Sequence, residues 1–171
     1  MVGCLVVFRN AARTLTVAGL ALVALVAGFA GGAPHAHAAE VKQFLGSWQG
    51  SGRIQFKDGR SESIVCRSYN TGAGDGLRLA LRCASAGYKI ELRSRLKVSG
   101  GRVTGTWEER NFNAQGAVEG RLADDAMALR VNGGGVTGDI AIARANEQLS
   151  YRIKTVGMTM TGVSVALRPM R

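Results

Sequence analysis

The sequence predicts an all-β protein: an antiparallel up-and-down meander of about eight to ten strands that closes into a barrel, with a β-sandwich as the next arrangement. Three observations carry this. Apolar and polar residues alternate with period two from Ser47 to Arg168. Turn signals rich in Gly, Asp and Asn separate short runs at close, even spacing. Nothing beyond residue 45 shows the three-and-four spacing of a long amphipathic helix.

Residues 1–38 read as a secretory signal. MVGCLVVFRNAAR brings Arg9 and Arg13 without an acid, TLTVAGLALVALVAGFAGGA is an apolar run, and Ala36-His37-Ala38 is a small-x-small cleavage site. The run is long enough to span a bilayer, but no charge cluster follows to stop transfer. Cys4 precedes it, so it is not placed as a lipid-anchoring cysteine. Residues 39–171 are then one domain, exported to a periplasm or the outside, and large enough for one core.

The elements follow in order. Val41–Leu45 suits a short helical turn. Ser47–Phe56 is the first strand, with Trp48, Gly50, Gly52, Ile54 and Phe56 on one face. Lys57-Asp58-Gly59-Arg60 suits a type I′ hairpin turn. Ser61–Asn70 is strand two, TGAGDG turns the chain, and Leu77–Ala84 is strand three. In YKIELRSRLKV the faces separate cleanly: Tyr88, Ile90, Leu92, Ser94, Leu96 and Val98 against Lys89, Glu91, Arg93, Arg95 and Lys97. SGGR leads into RVTGTWEER, and shorter strands are expected near 117–122, 126–131, 138–143, 148–156 and 160–168. Glycines within strands (Gly50, Gly52, Gly105, Gly120) suit the bends of closure, and the first three imply interior room. An outer-membrane barrel fits less well, since aromatics are too few for two girdles and the chain ends in Met170-Arg171.

Cysteine and histidine bound the chemistry. Cys66 and Cys83 are an even pair in an exported chain and predict a disulfide. Closing that loop contributes about 3 kcal/mol in the chain-entropy model. His35 and His37 both lie in the signal. Residues 39–171 therefore hold no Ser-His-Asp or Cys-His catalytic set, no histidine-based zinc site and no histidine-ligated haem. No cofactor, metal site or catalytic residue is expected. The formal net charge of +10 becomes +8 once Arg9 and Arg13 leave with the signal. That excess favours a small apolar or anionic ligand, or an anionic envelope surface. It does not point to nucleic acid, because no basic run is interleaved with aromatics. The chain is expected to be a monomer.

Gly46-Ser47-Trp48 resembles the opening motif of the lipocalin (calycin) superfamily, where a short helical turn precedes Gly-x-Trp at the start of strand one. The resemblance implies that Trp48 plugs the closed end of the barrel, behind Gly46. It also implies a basic residue near the last strand packed over the indole, for which Arg168 is the candidate. There is no match to the family's Thr-Asp-Tyr motif and no C-terminal helix, and a second Gly-x-Trp occurs at Gly105-Thr106-Trp107. Fatty-acid-binding relatives hold a carboxylate with an Arg-x-Tyr pair, which Arg67 and Tyr69 would match. If Cys66 faces the core, however, both point outward.

Trp107 and Glu109 share a face and are the other candidate ligand contacts. A carboxylate in the core would have a raised pKa, but a strand end is the plainer reading. Glu108 lies on the opposite face, so the two acids form no catalytic pair. Met158 and Met160 read as packing, and Gly133-Gly134-Gly135 as a turn. The expected function is an exported, non-enzymatic binding protein for a small apolar or amphipathic ligand. The alternative is a cationic envelope-associated interaction or inhibitor protein with a filled core.

Overall fold

The computed structural model describes residues 41–171. The predicted signal, 1–38, lies outside the described residues. Ten strands follow in chain order: β1 (Gly46–Phe56), β2 (Ser61–Ala73), β3 (Gly76–Ala84), β4 (Lys89–Ser99), β5 (Arg102–Glu109), β6 (Ala114–Ala123), β7 (Ala126–Gly133), β8 (Val136–Ala145), β9 (Gln148–Val156) and β10 (Met160–Pro169). Each pairs antiparallel with its chain neighbours, and β1 pairs with β10, closing the barrel. Closure leaves no free sheet edge.

Alternation decides which side chains fill the barrel. On β2, Ile64, Cys66, Ser68 and Asn70 are buried, while Val65, Arg67 and Tyr69 between them are exposed. Inward positions elsewhere are mostly Leu, Ile, Val and Met; outward positions are rich in Arg, Lys, Ser and Thr. A membrane barrel has the reverse distribution, with an apolar exterior. Cys66 and Cys83 face each other across β2–β3 and are bonded, with Cα atoms 4.1 Å apart.

One end is closed by the N-terminal turn. Phe44 and Leu45 donate backbone hydrogen bonds to Val41 and Lys42, and Val41 and Phe44 are buried beside Trp48. Trp48 is 4% exposed, as a plug requires. The cation over its ring is Arg144, from the end of β8, at 4.9 Å. This corrects the expectation for Arg168. That residue sits opposite Gln49 on an outward position of β10 and is exposed, whereas Arg144 follows Ile140 and Ile142 on the inward face. The Trp48 indole N–H, expected to reach a carbonyl, has no hydrogen-bond partner in the protein.

Two local expectations are corrected. In the first hairpin only Gly59 has positive φ, at 83°, and its N–H donates to the Phe56 carbonyl. The loop is therefore a tight turn followed by a left-handed glycine, not a type I′ turn, which needs two positive φ values. The Gly100-Gly101 pair, at 59° and 72°, meets that requirement. The second correction concerns interior room. A Cβ on Gly50, Gly52 or Gly105 would lie 2.1, 1.9 or 2.0 Å from a carbonyl oxygen of the adjacent strand. These glycines open no space for a ligand, because neighbouring backbone already occupies it.

Gly105→Ala should therefore destabilise by about 1–3 kcal/mol, as overpacking does, while Thr104→Ala on the exposed face should stay within about 0.5 kcal/mol. Urea denaturation midpoints compare the two. Trp48→Ala should lose about 3–5 kcal/mol, the range for large buried aromatics; a loss below about 1 kcal/mol would be that of a surface change and would end the plug assignment.

Candidate functional site

The outer wall formed by β2–β6 carries an arginine lattice, and register builds it. Arg67, Arg82 and Glu91 stand directly opposite one another on β2, β3 and β4. One step along, Tyr69, Ala80, Arg93, Glu108 and Gln115 form a row across five strands. One step further, Thr71, Arg78, Arg95 and Thr106 form the third. All alternate with inward residues, so all face outward.

The second and third rows line a recess of about 970 Å³, to which Arg82 also contributes. Small Ala80 lies between the larger side chains in the lining. Inward-facing Leu79, Ser94, Trp107 and Gly116 complete it, themselves one register row across β3–β6. Trp107 is buried, and its indole N–H has no hydrogen-bond partner in the protein.

Charge is unevenly compensated across the lattice. The Glu91 carboxylate receives Arg93, with Arg82 at 3.4 Å and Arg110 at 3.7 Å. The hydrogen bond from Arg93 is the main cause that holds the Glu91 carboxyl below the usual range, and the nearby charges of Arg93, Arg82 and Arg110 add to it. Arg93 also lies 4.0 Å from Glu108. Among the described residues, Arg67, Arg78 and Arg95 have no carboxylate within ion-pair distance. Like charges directly opposite on neighbouring strands repel, so the Arg67–Arg82 and Arg78–Arg95 pairs leave a surplus of positive field. The chemistry offered is recognition, by guanidinium forks and hydroxyl groups beside an apolar surface.

The predicted site residues separate. Tyr69, partly exposed, and Trp107 come together at this recess. Arg67 points outward one row away, as its parity required. Glu109 is not brought to the recess and is not free to hold a ligand. Its carboxylate accepts the backbone N–H of Glu91 at 2.6 Å, the Asn111 side chain at 3.1 Å and the backbone N–H of Phe112 at 2.7 Å. These bonds tie the loop after β5 to the start of β4. Gly46, with φ of 118°, starts β1 beside the Trp48 ring.

The sequence reading did not single out the residues of the third row. Their signal was present in the outward alternation of strand four and in Arg78 of strand three, but only the register aligns them. Nor did it single out a buried polar cluster at the closed end. The Ser68 hydroxyl bonds Asn70 Oδ1 at 2.7 Å and the Tyr151 hydroxyl at 2.9 Å, and Asn70 Nδ2 donates to the Phe44 carbonyl at 2.8 Å. Burial pushes the Tyr151 phenol upward, against the lowering effect of these bonds. The cluster is internally satisfied and ties the N-terminal turn to the barrel. At the opposite end, Tyr88 packs between Phe56 and Phe112, with ring centroids 5.0 and 5.9 Å away.

No family model matches the chain, and no curated protein matches it by sequence. Among solved structures the chain is similar to Rv2717c from M. tuberculosis, with a TM-score of 0.65 and 16% identity over 80% of this chain and 98% of that one. It is also similar to the S-type phycobiliprotein lyase CPES from Guillardia theta, with a TM-score of 0.59 and 9% identity over 77% of this chain and 90% of that one. At such identities the likeness shows the fold alone, a closed barrel of ten antiparallel strands.

Proposed function

We propose that this chain is an exported, non-enzymatic binding protein of the calycin type that takes an acidic, amphipathic ligand on its outer wall. The observation that carries the reading is the recess of about 970 Å³ on β2–β6, with Arg78, Arg82, Arg93 and Arg95 beside Tyr69 and Ala80. Guanidinium groups bind acids in a fork geometry and stack on flat apolar surface. The inward glycines add weight, since neighbouring backbone fills the space they would otherwise leave for a ligand in the lumen. The disulfide is consistent with export. The phycobiliprotein lyase has a barrel of this kind, but function resides in sites and not in folds.

The large apolar side chains turned inward also favour a second reading, a cationic interaction protein that adheres to anionic envelope surfaces through its whole exterior. The two differ in whether the recess matters. A fluorescence titration with the amphipathic dye 8-anilinonaphthalene-1-sulfonate separates them. Ala80→Trp fills the recess, while Ala141→Trp adds the same bulk on an exposed, outward position of β8. Dye affinity should fall at least about tenfold in the first variant, some 1.4 kcal/mol, and stay unchanged in the second. Equal affinity in both variants would overturn the recess reading and leave general surface adhesion.

A further inference from the structure

We infer that the Thr71–Arg78–Arg95–Thr106 row recognises a phosphate group, so that the ligand of the recess is a phosphate ester. The inference rests on the recess being the binding site. The row crosses four consecutive strands with each residue directly opposite the next. Adjacent strands lie about 4.8 Å apart, and directly opposed Cβ atoms about 5 Å. Two long guanidinium side chains that start this close can converge on one group, with a threonine hydroxyl on either side.

The arrangement is unfavourable in the free protein. Arg78 and Arg95 are like charges in direct cross-strand register, with no carboxylate within ion-pair distance among the described residues. The neighbouring rows differ. Arg82 and Arg93 share Glu91, and on the far wall Arg130 has Asp139 at 3.2 Å. The third row is thus the part of the recess where an anion from outside gains most.

The donor set selects the kind of anion. A carboxylate has two oxygens in one plane, with about four acceptor positions between them. Two forks and two hydroxyl groups offer more donors than it can accept. A phosphate monoester carries about −1.5 to −2 charge at neutral pH and three strong acceptor oxygens. Those oxygens point in different directions, as donors from four strands require. Tyr69 and Ala80 lie beside the row on the same outer face and would take the ester's organic part.

The test is calorimetric titration of the purified protein with phenyl phosphate and with phenylacetate at constant ionic strength. Phenyl phosphate should bind at least about tenfold more tightly. Arg78→Gln and Arg95→Gln should each weaken it at least about tenfold, in line with the loss of a charge-assisted bond. The control is Arg102→Gln, because Arg102 and Arg121 form another outward cross-strand arginine pair that does not line the recess; it should change affinity less than about twofold. Equal binding of the two ligands, or an equal loss in Arg102→Gln, overturns the inference.

The recess reading has its own measure. If the dye is lost in Ala80→Trp but phenyl phosphate binds no better than phenylacetate, the recess stands and phosphate recognition falls. If the dye ignores Ala80→Trp, both fall. Co-sedimentation with phosphatidylcholine vesicles containing phosphatidate identifies the source of the phosphate. Sedimentation that phenyl phosphate reverses supports a lipid headgroup, and failure to sediment with phenyl phosphate binding intact supports a soluble ester.

Discussion

Closure of β1 against β10 is the constraint on which the rest of the molecule depends. It removes the sheet edges, but it also forces neighbouring backbones together at inward positions. Gly50 and Gly52 meet the carbonyl oxygens of Ala166 and Ser164 there, where no side chain could stand. The same crowding recurs at Gly105, Gly116 and Gly120 around the barrel. Most of the remaining inward positions hold large apolar side chains such as Ile54, Leu81, Met127 and Leu149. Polar chemistry that is not needed to close the barrel is left on the outer wall.

The strands were legible because their signal is local. A period of two, broken by glycine-rich turns, requires no knowledge of partners. The pairing of Cys66 with Cys83 was legible for a related reason, since a hairpin sets them equidistant from its turn. What depends on the curvature of the whole barrel was not legible. Arg168 lies close to Trp48 in register yet points away from it. Arg144 reaches the indole from β8, two strands beyond β10 in the closed order. The glycines were read as room, and only the closed structure shows which backbone stands behind them.

The outer site was legible as charge and illegible as geometry. Arg93 and Arg95 stand out in sequence as the polar face of strand four, and a solvated face is the ordinary meaning of such a pattern. The register changes that meaning by setting Arg78 against Arg95 and Arg67 against Arg82. Conversely, Glu109 was a candidate ligand contact, with a strand end as its plainer reading. Folding supplies three donors to it from the chain itself, and a buried acid so occupied is a structural group.

Opposed arginines raise the question of what holds β2 to β3 in register, since a slip would separate the like charges. Inward alternation is one answer: a shift of one residue would turn Ile64 and Asn70 outward and Arg67 into the apolar core. The disulfide is the other. Cys66 and Cys83 immediately adjoin the Arg67–Arg82 pair, one residue along each strand and on the opposite face of the sheet. The covalent bond lies inside the barrel and the repulsion outside it, so the bond fixes the register without occupying the surface. An arrangement of cations that would loosen a hairpin held only by backbone hydrogen bonds is in this way kept in place, and kept available to an anion.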